Sequence, residues 1–265
     1  MTTHMEVKAT LMEQLKALRL PAFREGFEET ARKAMQETLS YEQYLLELTH
    51  RECDERRSRR IDRLLRESRL PLEKTLSSFD LKRLSPKVAR QMRTLLDGSF
   101  LDRRENVLAF GNSGAGKTHL LCALGQELIR QRERPVYFSP CSLLVQELLV
   151  GKRDLKLSRV LKRLSKFDVV IIDDIGYVQQ SRDEMEVLFT LLAERYERGS
   201  VMLTSNLPFS KWESIFKDPL TTAAAIDRLV HHSVIVELNV PSYRLETAKG
   251  AKKPTDNDAE PVVTN

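Results

Sequence analysis

Cysteine is scarce: the chain has three in 265 residues, Cys53, Cys122 and Cys141. They stand far apart, with no C-x-x-C spacing and no neighbouring histidine pattern, so neither a disulfide framework nor a zinc site is indicated. Ordinary buried or half-buried thiols are expected. Long apolar runs are missing as well. Nothing approaches the roughly 20 consecutive apolar residues that cross a bilayer, and Met1 to Lys16 mixes charges without the apolar core of a signal peptide. No membrane partner is expected, and the expected location is cytoplasmic. A strong charge of one sign is also absent. Lys and Arg number 43 against 38 Asp and Glu, a formal +5, which by itself points only weakly to nucleic acid.

What is present is a globular composition, 41% hydrophobic and 31% charged, in a chain long enough for one sizeable core and a smaller module. The basic excess is local. Residues 151 to 166 hold seven Lys and Arg against one acidic residue, whereas residues 1 to 75 hold fifteen against fourteen.

The stretch Gly111-Asn112-Ser113-Gly114-Ala115-Gly116-Lys117-Thr118 satisfies G-x-x-x-x-G-K-[ST] at every fixed position. Asn106 to Phe110 before it is fit for a buried strand, and His119 to Gln131 after it carries leucines at helical spacing, the context that the motif requires. Such a loop turns successive backbone N–H groups towards phosphate oxygens, and the following helix N-terminus adds partial positive charge. Residues 111 to 118, with His119 opening the helix, are therefore the candidates to hold ATP. Lys117 is expected to reach the β- and γ-phosphates, and the Thr118 hydroxyl to ligate Mg²⁺.

Residues 5 to 19 place Leu11, Met12, Leu15 and Leu18 at helical spacing, and Pro21 stops that helix or begins the next. Ser40 and Gln43 have the form of a capping box opening a long amphipathic segment that runs to about Arg69, before Pro71. An all-helical module over 1–75 follows. Its cluster Arg56, Arg57, Arg59 and Arg60 reads equally as a contact for nucleic acid or a partner and as a solvated face paired with Glu52, Asp54, Glu55 and Asp62. Residues 76–105 are a connector too apolar for disorder, expected to pack on the core.

Pro135 to Ser139 reads as a second strand and Ser142 to Leu149 as a helix, followed by the basic stretch. There Lys156, Arg159, Arg163 and Lys166 fall on one side of a helix and Leu157, Val160, Leu161 and Leu164 on the other. With Lys152 and Arg153 ahead of it, this stripe suits a duplex DNA backbone; the alternative is an ordinary surface helix. Val169 to Ile172, closing on Asp173 and Asp174, reads as a central parallel strand whose carboxyl end meets the ligand. Asp173 is expected to hold Mg²⁺ and Asp174 to orient the attacking water. Val201 to Thr204 is a strand ending in Ser205-Asn206, where the Asn206 amide would lie beside the Asp173 strand and contact the γ-phosphate or the water. Pro219 to His232 is a helix containing Asp227-Arg228, Val234 to Leu238 a last strand, and Ser242 starts a short helix. The expected fold is α/β, a central parallel sheet flanked by helices over 106–250, with a polar, disordered tail over 251–265.

Taken together, Gly-Lys-Thr-His-Leu (116 to 120), Ile-Asp-Asp-Ile-Gly-Tyr (172 to 177), Leu-Thr-Ser-Asn-Leu-Pro (203 to 208) and Asp-Arg-Leu-Val-His-His (227 to 232) resemble the IstB family of transposition ATPases. The order of motifs is that of the AAA+ initiator and helicase-loader clade that includes DnaA and DnaC. The resemblance spans nearly the whole chain. It implies an AAA+ P-loop domain, ATP-dependent self-assembly on duplex DNA and delivery of a transposase to target DNA. It also implies that Asn206 is sensor 1, that Arg228 is the arginine finger, that Arg244 is sensor-2-like, and that residues 141 to 166 are the DNA-contacting insertion. One departure is that such enzymes commonly carry Glu where Asp174 stands. A helicase loader shares every motif in 105–245 and differs in its partner, whereas a metabolite kinase would want a lid and an acceptor pocket in place of the basic helix.

Overall fold

The computed structural model describes residues 4–176, 181–213 and 219–243. Arg244, the short helix expected after Ser242 and the expected disordered tail lie outside the described residues. The chain divides into two compact units, Met1–Arg63 and Leu64–Asn265.

The first unit holds α1 (His4–Ala17), α2 (Pro21–Glu37) and the greater part of α3 (Tyr41–Ser68). Pro21 opens α2, where its missing N–H is no loss. Leu20 before it supplies no side-chain cap, and the acceptor comes instead from α3: buried Glu52 receives the Ala22 N–H at 2.9 Å and Arg56 Nε at 2.8 Å. A carboxylate at a helix N-terminus also complements its dipole. Ser40 and Gln43 form the expected reciprocal capping box, at 2.8 and 3.3 Å. Within the arginine cluster, Arg56 pairs with Glu52 and Arg59 with Glu55 one turn away. Cys53 is exposed rather than buried or half-buried, because it follows the inward-facing Glu52 and so falls on the solvent side of α3.

The second unit is built on a sheet of five parallel strands, β1 (Asn106–Gly111), β2 (Val136–Pro140), β3 (Val169–Ile175), β4 (Ser200–Ser205) and β5 (Ser233–Leu238), in the order β2-β3-β4-β1-β5. Val107 to Ala109 and Val169 to Ile172 are fully buried, as strands covered on both faces must be. Alternate residues serve opposite faces. Val170, Ile172, Val201 and Leu203 join Leu144, Leu148, Leu188 and Leu191 of α7 (Cys141–Arg153) and α9 (Arg182–Arg195). Ile171 faces α6 (Lys117–Arg132) on the other side, at Gly125. Also in this unit are α8 (Leu157–Leu164) and α10 (Pro219–Val230).

Residues 64–105 belong to this second unit. α4 (Pro86–Leu96) buries Val88, Met92 and Leu95, and Gln91 Nε2 donates to the Ile235 carbonyl of β5 at 2.9 Å. The short α5 (Ser99–Asp102) buries Phe100 and Leu101 and leads into β1. The apolar connector thus packs on the sheet and its helices.

One buried charge organises the sheet's amino edge. Arg195 donates to the carbonyls of Leu164 (3.1 Å), Phe167 (3.1 Å), Asp168 (3.0 Å) and Ser200 (2.9 Å), tying α8, β3 and β4 together. Arg195→Met leaves these acceptors without a donor, at about 1–3 kcal/mol for each one that water fails to reach. Loss of roughly 3 kcal/mol or more is expected in denaturant unfolding; a variant as stable as the parent would contradict this role.

Candidate functional site

All five strands run the same way, so Gly111, Pro140, Ile175, Ser205 and Leu238 end at one edge, where an open α/β sheet takes its ligand. A cavity of about 350 Å³ opens there, lined by residues 113–119, Asp173, Asp174 and Asn206. The expected phosphate loop, acidic strand end and amide are therefore brought together. Two glycines show why the loop admits little else. At Gly111, φ is +150° and a Cβ would stand 2.5 Å from the Leu238 carbonyl oxygen; at Gly116, φ is +93° and a Cβ would meet the Phe79 ring at 2.9 Å.

Lys117 is 5% exposed, and its Nζ donates to the carbonyls of Gly111 (2.9 Å) and Asn112 (3.0 Å) and to Asn206 Oδ1. The ammonium is thus held at the mouth of the loop, next to the tip of β4. Asn206 is fixed by its neighbours: Ser205 Oγ receives the Leu207 N–H at 3.1 Å, and buried Trp212 donates from Nε1 to the Leu207 carbonyl at 3.1 Å. Thr118 Oγ1 donates to Asp173 Oδ1 at 2.7 Å. A hydroxyl and a carboxylate meeting in this way are a hard oxygen pair of the kind that Mg²⁺ accepts.

Thr204, one residue before the expected Ser205-Asn206 tip, has a role that its place in the strand does not announce. Its hydroxyl donates to Asp173 Oδ1 at 2.7 Å and accepts the Asp174 backbone N–H at 2.8 Å, so one side chain holds the Asp173 carboxylate and the backbone of Asp174. β3 departs from regular pairing between Ile172 and Ile175, and Asp174 sits at φ +61°. The irregularity re-aims the exposed Asp174 into the cavity. The left-handed region tolerates Asp far better than longer side chains, a physical reason for Asp where Glu is common. Thr204→Val keeps the shape and removes both bonds. Hydrogen bonds to charged groups are worth about 1.5–3 kcal/mol, so turnover should fall roughly 10- to 100-fold while nucleotide affinity holds. Unchanged phosphate release would remove Thr204 from the site.

The connector also enters the cavity, through Ser78, Phe79, Asp80 and Arg83. His119 is turned towards it: Nε2 donates to the Thr75 carbonyl at 2.9 Å, Ser78 Oγ lies 3.2 Å away, and Phe79 meets the imidazole edge-on at 5.2 Å. Opposite, Arg83 donates to the Pro241 carbonyl at 2.8 Å and stacks on Tyr243 at 5.3 Å. Ser78, Phe79, Asp80 and Arg83 belong to no motif, so only the fold could reveal them, whereas His119 stands in the expected phosphate-binding stretch. Cys122, just behind the loop on α6, is an inert thiol, pushed up to about 12 by burial.

Arg228 is not brought to its own phosphate loop. Its carbonyl and that of Leu229 receive Asn106 Nδ2 at 3.4 and 3.0 Å, at the amino end of β1, whereas the loop leaves the carboxyl end. The guanidinium donates to the Ala224 carbonyl at 2.9 Å and stacks on Phe189 at 4.8 Å; among the described residues no carboxylate pairs with it.

The basic stretch is less uniform than its sequence implies. Arg163 turns back to Glu147 at 2.5 Å and over the Tyr137 ring at 5.3 Å, Lys152 pairs with Glu186 at 2.9 Å, and Arg153 with Asp154 at 3.3 Å. Lys156 precedes α8 and Lys166 follows it. Lys156, Arg159, Lys162 and Lys166 are exposed and have no ion pair among the described residues.

A parallel sheet with the phosphate loop on β1, two carboxylates on β3 and an amide at the tip of the intervening β4 is the arrangement of an AAA+ P-loop ATPase. The chain belongs to the IstB-like ATP-binding protein family, whose pattern it matches over residues 13–251. It is 41% identical over 247 residues to an insertion sequence ATP-binding protein of Sinorhizobium fredii, covering 93% of this chain and 83% of the relative. It is 37% identical over 226 residues to the IS21 ATP-binding protein of Pseudomonas aeruginosa, covering 85% and 84%. Among solved structures it resembles the DnaC helicase loader (TM-score 0.51, 16% identity, 58% of this chain and 89% of that one) and AMPPCP-bound DnaA from Aquifex aeolicus (TM-score 0.54, 18% identity, 69% and 56%). At these identities the likeness is one of fold. Among the described residues, no helix is long and apolar enough to cross a membrane.

Proposed function

We propose that this ATPase assembles with copies of itself on duplex DNA and helps a transposase to engage target DNA. The observation that carries the reading is the basic hairpin of α7 and α8, with four exposed cations that have no ion pair among the described residues. It stands on a chain whose relatives are named as insertion sequence ATP-binding proteins. In this reading residues 111–118 cradle the triphosphate and Lys117 offsets its β- and γ-charge. Thr118 and Asp173 hold Mg²⁺, which neutralises phosphate charge when bound. Asp174 and Asn206 orient the attacking water. Arg228, remote from its own loop, serves the γ-phosphate of a neighbouring copy.

DNA affinity should respond unequally across the stripe. Lys156→Ala and Arg159→Ala should weaken binding to all sequences alike and lower the salt slope by about one counterion each. Lys152→Ala and Arg163→Ala should do less, because each cation is already committed to a carboxylate. Fluorescence anisotropy on duplex DNA across salt concentrations tests this. Unchanged affinity and slope with Lys156, Arg159, Lys162 and Lys166 all replaced by Ala would leave the hairpin a solvated face. A helicase-loading role is separated by the captured partner, a transposase here against a hexameric helicase there.

A further inference from the structure

We propose that Glu197, His231 and His232 form a binding site for a divalent transition-metal ion of the zinc class, at the amino-terminal edge of the sheet and apart from the chain's own phosphate loop. The three side chains are exposed, and one ligand atom from each lies within 4.8 Å of the other two. A tetrahedral ion with bonds of about 2.0–2.1 Å needs ligand atoms roughly 3.3 Å apart. Rotation of exposed side chains, a motion of picoseconds to nanoseconds, supplies the difference. Two imidazoles and one carboxylate suit Zn²⁺, Co²⁺ or Ni²⁺, whereas Mg²⁺ and Ca²⁺ favour an all-oxygen set. The fourth position is left to water.

Two further features favour a site over a chance cluster. The Tyr196 hydroxyl lies 3.0 Å from His231 Nδ1, which leaves Nε2 with the lone pair when Nδ1 carries the proton, the usual outer-shell arrangement of a ligating histidine. The two turns that supply the ligands are fastened through one residue. Asn106 donates its N–H to the His232 carbonyl at 2.7 Å and its Nδ2 to the Leu229 carbonyl at 3.0 Å, while its Oδ1 receives the Val201 N–H at 2.8 Å. Glu197 lies in the turn before β4 and the histidines in the turn before β5, so Asn106 on β1 holds both turns in place. Of the charged groups nearby, Arg104, Arg195 and Arg228 line the same depression and oppose a cation; Asp227 lies near Tyr196 and Glu105 near His232, on the favourable side, although Glu105 is also paired with Arg103.

The test is titration of the full, untagged, nucleotide-free chain with Co²⁺, read by its visible absorption, and with Zn²⁺ by calorimetry. One ion per chain with the strong absorption of tetrahedral Co²⁺ is expected. His231→Ala or His232→Ala should weaken binding by at least 10-fold, and Tyr196→Phe, which removes only the outer partner, by about 10-fold. Circular dichroism should be unaltered throughout. Equal binding by the parent and the His231→Ala/His232→Ala double variant would overturn the proposal. So would only the weak absorption of the aqueous ion, or a signal removed by Asp173→Asn and not by the histidine variants.

Discussion

Lys117→Ala is expected to lose ATP turnover by about 10²–10³-fold or more, the usual loss when a charge-stabilising group is taken from a preorganised site. Lys117 is 5% exposed and its ammonium is held by two loop carbonyls and Asn206, so it is in position before substrate arrives. No other cation is encoded in the loop from Gly111 to Thr118, and the backbone N–H groups alone carry only partial charge. Nucleotide affinity should fall as well, because the same charge acts on the bound ground state. The fold should survive, since the lysine's acceptors lie beside an open cavity that water enters. Phosphate release and binding of a fluorescent ATP analogue check this together. Parent-like values for both would dismiss the phosphate loop as the ATP site.

The second large effect concerns two inactive variants that repair one another. Asp174→Asn removes the carboxylate aimed into the cavity, and Arg228→Ala removes a guanidinium that stacks on Phe189 and donates to the Ala224 carbonyl, outside the lining of that cavity. Arginine fingers contribute about 10³ to 10⁵ in rate where they have been measured. Each variant alone should therefore be nearly silent. If Arg228 serves a neighbouring site, a mixture contains interfaces that pair an intact Asp174 pocket with an intact Arg228, and part of the turnover returns. Mixing restores nothing if Arg228 only packs against Phe189 and Ala224.

Much of this was legible in the sequence because its signals are local. The phosphate loop is eight consecutive residues, β3 an unbroken apolar run closing on two carboxylates, and the capping box of α3 lies within four residues. What was not legible depends on residues that only the fold joins. Thr204 gains its role from the pairing of β3 with β4, and His119 turns to Thr75 because the connector folds against α6. Glu52 caps a helix thirty residues upstream. The commitment of Arg163 is hidden in the sequence for the same reason: helical spacing places it beside Lys156 and Arg159, but packing of α7 against α8 puts Glu147 within reach. Likewise His231 and His232 acquire Glu197 only where two turns meet at Asn106.

The central claim is that this ATPase works as an assembly on DNA. The most direct test is the rate of ATP hydrolysis per chain, measured across protein concentration with and without duplex DNA. An active site completed by Arg228 of a neighbour makes turnover subject to mass action, so the rate per chain should rise with concentration. Duplex DNA should bring that rise to lower concentration, and raised salt should reverse its effect. A rate per chain that is flat with concentration and indifferent to DNA would contradict the account.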